Sequence, residues 1–411
     1  MPQILGCATT YSIVIHEEIS GPDCDGTAAF GRPVAAIDKY SNLKWDRRLD
    51  ETSEAVIVVP MSAECCKADG FMKDVHSWHH GVSIYRDGQL VWDGPIVQIK
   101  YTMDAVTITA RDITALLAKR VLPRDLCFSA EEQVCVAGPT GVSFGGPKSP
   151  EFVVKTLIEE ALTIDGHGGF VTMLGESDFE YQAYFKQYDG PVYDFIFKIA
   201  SNYVNFTALG RRIIVSVGGL TDGTGIARTA ALTCADFQAD GFSLVEDGLS
   251  ALTWDVQYAD DVVVDGVVVA EESVGIATAW TPQDSQEADC YYGLLQGIQD
   301  GNSVLATAGA SSIVTAGDAL AQAAKNILAG AYPPPLIMSP EGAVLQPNAP
   351  VTMEELVPGT LVPVIFDCLC IEVGQTFLLT KLEVEFTSEG ETVIPTFISL
   401  GSDNQIDTSL Y

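Results

Sequence analysis

One stretch of the sequence has the spacing of a serine nucleophile, Gly-Val-Ser-Phe-Gly at residues 141–145. In a G-x-S-x-G nucleophile elbow, a strand precedes the serine and a helix follows it, so that Ser143 would be presented for acyl transfer. Gly-Pro pairs stand on both sides of the stretch, at 138–139 and 146–147, and these favour a flexible loop. We prefer the loop, and keep an esterase or cell-wall hydrolase that uses Ser143 as the weaker alternative.

A second stretch, His-Ser-Trp-His-His at residues 76–80, lies downstream of Cys65 and Cys66 and has the side chains of a metal site. His76 and His80 are four residues apart, the spacing of two zinc ligands on one helix face. No Glu follows His76 as the H-E-x-x-H motif requires, and the segment leads into a strand. Surface or interface histidines are therefore the interpretation that we favour.

Other site signatures are weaker. Pro147 interrupts the Gly-Lys pair that a phosphate loop would need at Lys148. The many carboxylates make any glycosidase-like pairing uninformative. The sequence thus predicts no catalytic, cofactor-binding or metal-binding residue.

The charge of the chain is strongly negative. Its 411 residues carry 55 acidic and 22 basic side chains, a formal net charge of −33. Hydrophobic residues make up 47% of the sequence, which indicates a globular protein. Such a surface repels nucleic acid and anionic membranes, although it suits a wall that DNA slides past without sticking. Solubility is the alternative explanation of the charge.

The N-terminus and the cysteines favour folding in a cytoplasm. The opening residues, MPQILGCATTY, lack a basic region followed by an apolar stretch, so that no signal peptide is predicted. The longest uncharged run, residues 301–317, is too polar for a membrane span. Ten cysteines at irregular spacing predict reduced thiols.

The strongest local structural signal is Asp87-Gly88 between two apolar runs, which predicts a hairpin with a two-residue turn. Simple pairing across this turn sets Ile84 opposite Val91. Both faces of the hairpin are then apolar, one against the core of the subunit and the other against a neighbouring subunit or the subunit's own loops. The two predicted faces are Tyr85, Leu90 and Trp92 on the core side, and Ile84 and Val91 on the other side.

The period of the apolar residues changes twice along the chain. It is two in the first and last thirds, as in sheets, and close to 3.6 at 151–162 and 191–201, as in helices. We therefore predict a mainly β protein with a small α+β domain between two barrel-like domains. The predicted divisions are a first β-barrel-like domain at 1–121, a linker at 122–149, an α+β domain at 150–229, and a second β-barrel-like domain at 230–411 with a helix at 318–330.

Several stretches resemble minor tail proteins of long non-contractile-tailed phages of actinobacteria, which are similar to baseplate hub proteins. At the start they are LKWDRRLDETSEAVIVVP, VSIYRDGQLVWDGPI and ARDITALLAKR, and in the middle YVNFTALGRRIIV. At the end they are DALAQAAKNILAGAYPPP, LVPGTLVPVIF and TKLEVEFTSEGETVIPTFISLG. The resemblance covers most of the chain, and its motifs are structural.

The resemblance implies a virion protein without catalytic residues or cofactors, made in the bacterial cytoplasm and located at the tail tip. In the family the hub is a homotrimer, in which two tail-tube-type barrels per subunit form a pseudo-hexameric ring that continues the tail tube. Implied partners are the distal tail protein, the tape-measure protein and fibre proteins, with DNA only in transit. A distal tail protein, a hexameric ring of the same plan, is the main alternative. Because the sequence stops at Tyr411 without a further domain, we do not expect cell-wall degradation.

If the chain lines a channel for DNA, its acidic excess predicts a wall that repels the duplex. The candidate acidic segments are residues 258–266 and 366–374.

Overall fold

The computed structural model describes the chain in segments. These are residues 4–8, 10–17, 33–67, 70–129, 141–162, 171–200, 203–217, 231–238, 343–368 and 373–399, together with the backbone of short strands between 244 and 338. The predicted helix 318–330 lies outside the described residues. Among the described residues, no helix has the length and apolar character needed to cross a membrane.

The described chain is mainly strands. They are β1 Tyr11–Glu17, β2 Pro33–Ile37, β3 Asn42–Arg48, β4 Glu54–Pro60, β5 His80–Arg86, β6 Gln89–Tyr101, β7 Ala105–Arg111, β8 Leu126–Cys127, β9 Val142–Ser143, β10 Val171–Leu174, β11 Tyr184–Phe185, β12 Val204–Leu209, β13 Arg212–Val217, β14 Leu232–Thr233, β15 Leu244–Glu246, β16 Thr253–Gln257, β17 Val262–Val264, β18 Val267–Ala270, β19 Ile276–Trp280, β20 Gln296–Asp300, β21 Leu336–Met338, β22 Leu361–Phe366, β23 Val373–Thr387 and β24 Gly390–Ser399. The α-helices are α1 Thr114–Leu117, α2 Pro150–Leu162 and α3 Val192–Ala200.

Strands from both ends of the chain form one sheet. It has 13 strands, and its main path runs β15-β21-β24-β23-β3-β4-β7-β6-β5-β1-β2. The two ends join where β23 pairs antiparallel with β3, with Val384 opposite Trp45. Beneath the sheet lies one apolar core that contains residues from both ends, among them Ile57 and Phe397. The predicted mainly β chain with a small α+β unit is confirmed, while the domain boundaries remain predictions.

The Asp87-Gly88 turn is present, with φ angles of 48° and 86°. Pairing then slips by one residue at a bulge, so that Ile84 lies opposite Trp92 and not opposite Val91. The predicted register beyond the bulge is therefore wrong. A bulge inserts an extra residue into one strand, and the turn sequence does not encode it.

The bulge also changes which side chains reach the core. Ile84, Trp92 and Val91 are all buried, whereas Leu90 is 45% exposed and Tyr85 is half-buried. Tyr85 and Leu90 instead face a cleft, described below. The predicted division of the hairpin into a core face and a neighbour face is thus wrong.

The middle of the chain forms a small unit with its own core. Its helices α2 and α3 pack together and against a sheet of the order β10-β13-β12. In α3 the fully buried residues are Val192, Ile196 and Ile199, which share one face of a helix. The predicted hairpin at 204–217 is confirmed, with Leu209 opposite Arg212 and Gly210 at a φ of 59°.

The prediction of reduced cysteines is wrong at three described positions. Cys234 and Cys368 form a disulfide with a Cα–Cα distance of 6.2 Å, across 134 residues of sequence. Cys127 is also disulfide-bonded. Irregular cysteine spacing could not reveal these bonds, because pairing depends on distances in the folded chain. Cys7, Cys65 and Cys66 are free thiols.

Candidate functional site

Ser143, the candidate nucleophile, lies exposed at the end of the two-residue strand β9. This strand pairs in parallel with β8, and α2 begins only at Pro150. The Ser143 Oγ accepts a long hydrogen bond from the N–H of Gly145, at 3.4 Å. No hydrogen bond from a histidine reaches Ser143 within the described chain. The segment therefore lacks both the helix of a nucleophile elbow and a general base.

The histidine cluster forms a tight turn. The N–H of His76 donates to Nδ1 of His80 at 3.1 Å, and the rings of His79 and His80 meet edge to face at 4.5 Å. In the neighbouring cysteine pair, burial and then the Cys66 thiol raise the pKa of Cys65 to about 12, which keeps it protonated. No group of three His, Cys, Asp or Glu side chains in the described segments is arranged to hold a metal ion.

A cavity with a polar lining lies between the β5–β6 hairpin and the β12–β13 hairpin. Its volume is about 440 Å³. Tyr85 and Leu90 line one wall, Leu209 and Arg211 line the other, and Asp93 lies at the floor. The cavity therefore lies at the boundary between the large sheet and the middle unit.

The floor of this cleft is a buried polar cluster around Asp93, which is 4% exposed. Its carboxylate accepts hydrogen bonds from the Ser83 hydroxyl and from Arg211 Nε at 2.9 Å, and His16 Nε2 lies 3.4 Å away. Burial alone would raise the pKa of Asp93, but His16 and Arg211 hold it below its usual value. Because Ser83 of β5 and Arg211 of the middle unit both donate to Asp93, the cluster joins two parts of the fold.

A second link joins the large sheet to the middle unit. The N–H of Asp50, in the β3–β4 turn, donates to the carbonyl of Phe206 at 2.8 Å, and the N–H of Phe206 donates to Asp50 Oδ1 at 2.7 Å. The Thr207 hydroxyl donates to the carbonyl of Arg48 at 2.9 Å. Burial raises the pKa of Asp50 to about 8. The two links together set the position of the middle unit.

The outward face of the large sheet is polar. Cross-strand neighbours on this face form ion pairs, such as Lys44 with Glu383 at 2.7 Å and Arg111 with Glu54 at 3.4 Å. Basic side chains are at least as frequent here as acidic ones, in contrast to the chain as a whole. The charged side chains of the face include Lys44, Asp46, Arg48, Glu54, Asp93, Lys100, Arg111, Lys381, Glu383 and Glu385.

Three crystal structures share this architecture over almost the whole chain. The 43 kDa tail protein of prophage MuSo2 from Shewanella oneidensis is 12% identical, with a TM-score of 0.55, over 95% of this chain and 98% of that chain. The tail protein from Neisseria meningitidis MC58 is 13% identical, with a TM-score of 0.53, over 95% and 96%. Prophage tail protein gp18 from Listeria monocytogenes EGD-e is 11% identical, with a TM-score of 0.51, over 97% and 96%. The chain has the fold of phage tail proteins.

The tail-protein fold agrees with the resemblance found in the sequence. No protein-family model matches the chain, and no curated protein matches its sequence. At these identities the likeness is one of fold.

Sequence reasoning missed the polar links of this tail-protein fold. Asp93 and Arg211 are 118 residues apart, and Asp50 and Phe206 are 156 residues apart. No spacing rule connects residues at such separations. The only local signal was the Asp-rich composition of the turns, where Asp tolerates positive φ as Asp50 does at 58°.

Proposed function

We propose that this chain is a structural protein of a phage tail, the hub of the baseplate at the tail tip. As a homotrimer, its barrel-like parts form a pseudo-hexameric ring that continues the tail tube. The observation that carries the proposal is the shared fold with three tail proteins, two of them from prophages, over 95% or more of the chain. The hub joins the distal tail protein, the tape-measure protein and the receptor-binding fibres.

The joining of both chain ends in one sheet supports a wall-forming role. Because β3 pairs with β23, the two β regions of a subunit form a continuous surface. Ion pairs such as Lys381–Glu383, at 2.9 Å, satisfy the charges on its outward face. Such a face offers few unpaired cations to phosphates that move past it.

Copy number in the particle tests the proposal. Quantitative mass spectrometry of purified virions, with the major tail-tube protein as internal standard, should give three copies of this chain per tail. Six copies would contradict the hub and favour the alternative, a distal tail protein with the same barrel plan. Absence of the chain from virions would contradict both.

DNA meets this protein only in transit under the proposal. Repulsion by carboxylates extends over about 8 Å at physiological salt. Of the predicted acidic segments, 258–266 is described only in the backbone of Val262–Val264 and 366–374 only at 366–368 and 373–374, so their place in a channel remains a prediction. Purified protein should not retain duplex DNA at low salt, where phosphate contacts are strongest. Tight, salt-sensitive binding would contradict passive transit.

An enzymatic role is tested separately. We expect purified protein neither to clear cell walls nor to hydrolyse an activated ester. Activity that disappears in Ser143→Ala would establish the hydrolase alternative.

A further inference from the structure

Two exposed aromatic residues have a backbone conformation that their side chains disfavour. Trp78 has a φ of 62° and is 41% exposed, and Tyr188 has a φ of 60° and is 69% exposed. The other non-glycine residues with positive φ in the described chain are Asp50 and Asp87, whose short polar side chains tolerate it. A bulky residue in this region is strained, and such strain clusters at functional sites.

Both aromatic residues flank the same short segment, residues 119–122. The ammonium of Lys119 lies 5.6 Å from the centre of the Trp78 ring. The N–H of Tyr188 approaches the carbonyl of Leu122 at 3.4 Å, and Val121 between them is 36% exposed. We name the set Trp78, Lys119, Val121 and Tyr188 the aromatic–basic patch.

The patch is basic in a chain that is mostly acidic. No acidic residue occurs in the sequence between Asp112 and Asp125, and Lys119 is exposed there, while the Arg124 guanidinium pairs with Glu160. Asp189 is the acidic residue next to Tyr188. Exposed Trp and Tyr beside cations are side chains that anchor protein interfaces.

An acidic loop connects β10 to β11 in the same unit. Glu176, Asp178 and Glu180 are exposed at alternate positions, while Phe179 stacks on Tyr203 at 5.1 Å. Phe179 thus packs on the middle unit, while the three acidic residues beside it are exposed. We name Glu176, Asp178 and Glu180 the acidic loop.

The acidic loop and the patch are separated along an extended segment. Residues 181–188 run antiparallel to 122–128, with the N–H of Phe128 bound to the carbonyl of Ala183 and Tyr184 opposite Cys127. Ten residues between Asp178 and Tyr188 can span up to about 30 Å. One subunit therefore carries the two surfaces on different segments of its chain.

We propose that the aromatic–basic patch is a self-association surface that receives the acidic loop of a second copy of this chain. Opposite charge selects the partner, and the two aromatic side chains provide the apolar contact. A contact between two different surfaces is heterologous, and repeated heterologous contacts form a ring when the rotation between copies closes. The inference rests on the proposed ring-forming function and assigns the contact between middle units.

Tyr188→Asn tests the patch. Asn tolerates positive φ better than Tyr, so the variant should unfold at the same or a higher temperature than the unchanged chain. Its self-association constant, measured by sedimentation equilibrium on the full chain, should fall about tenfold or more, the effect of losing an interface anchor. Tyr101→Asn makes the same change at a tyrosine that is 58% exposed on the large sheet and should leave association unchanged.

A charge swap tests the partner. Lys119→Glu and Asp178→Lys should each weaken self-association, and the double variant should regain most of it. An unaltered association constant in Tyr188→Asn, or no recovery in the double variant, would overturn the inference. A chain that stays monomeric at about 100 µM, a concentration at which even weak specific contacts form, would also overturn it. If the self-association surface is refuted in this way, three copies per tail would still support the hub. Failure of the surface can therefore be distinguished from failure of the hub.

Discussion

The guanidinium of Arg86 and the carboxylate of Glu391 form a two-contact ion pair between residues 305 apart in sequence, at 2.9 and 2.8 Å. The Tyr11 hydroxyl and the N–H of Ala8 also donate to Glu391. The side chains of Arg86 and Glu391 are only 12% and 3% exposed. One buried carboxylate thus fastens the N-terminal segment, β1 and β5 to the first residues of β24.

Loss of the Glu391 charge should therefore destabilise the whole β region. In Glu391→Gln the Arg86 guanidinium stays buried without its counter-charge, and we expect the free energy of unfolding to fall by about 3 kcal/mol. Urea denaturation measures the loss. Glu389→Gln, at an exposed residue of the same turn, is the matched control, with an expected change within about 0.5 kcal/mol. Equal effects of the two changes would contradict the role of the ion pair.

Asp50 should make stability depend on pH. Its pKa is about 8 in the folded chain, because of burial, and about 4 when unfolded. The folded state thus retains a proton that the unfolded state loses, so this contribution to stability is complete below pH 4 and disappears as the pH rises through 8.

Asp50→Asn should remove that decline. The amide oxygen can still accept the N–H of Phe206, and Asn tolerates the φ of 58°. The difference in melting temperature between the variant and the unchanged chain should grow in favour of the variant from pH 5 to pH 8. Asp87→Asn makes the same change at an exposed turn residue with a φ of 48° and controls for backbone effects. A constant difference across this range would refute the prediction.

Arg211 should hold the β12–β13 hairpin against the large sheet. Hydrogen bonds to a charged group contribute about 1.5–3 kcal/mol, so Arg211→Ala should speed amide hydrogen exchange in residues 204–217 about tenfold or more. Arg212→Ala, at the exposed neighbouring residue, should leave exchange nearly unchanged. If both variants exchange at the same rate, Arg211 does not fasten the hairpin.

The Cys234–Cys368 disulfide should contribute strongly to stability. Closing a loop of 134 residues restricts the unfolded chain by about 5 kcal/mol in the chain-entropy model, an upper value for the measured effect. The double variant Cys234→Ala, Cys368→Ala should therefore melt at a markedly lower temperature without reductant. Cys7→Ala, at an exposed free thiol, should not. Unchanged melting of the double variant would contradict this role.

Local patterns in the sequence predicted local structure well. The Asp87-Gly88 turn, the helix α3 and the hairpin after Tyr203 depend on residues within a few positions of one another, and all are present. The bulge at Val91 was not predicted, because it is set by packing across the hairpin.

Contacts between residues far apart in the sequence could not be predicted from it. The pairing of Trp45 with Val384 and the Arg86–Glu391 ion pair join positions separated by most of the chain. Neither strand carries a signal that specifies its partner, because alternating apolar residues fit any sheet neighbour. The aromatic–basic patch was not predicted for a related reason, since the positive φ of Tyr188 is known only from the structure.

The pairing of β3 with β23 has a consequence for how the protein is made. During translation the third strand leaves the ribosome long before Val373–Thr387 exist, so its edge stays open while most of the chain is synthesised. Contacts of such sequence separation fold slowly, and an unpaired strand edge invites aggregation. We expect chains truncated before β23 to precipitate when expressed. The large sheet can therefore close only late in synthesis, after the residues of β23 have left the ribosome.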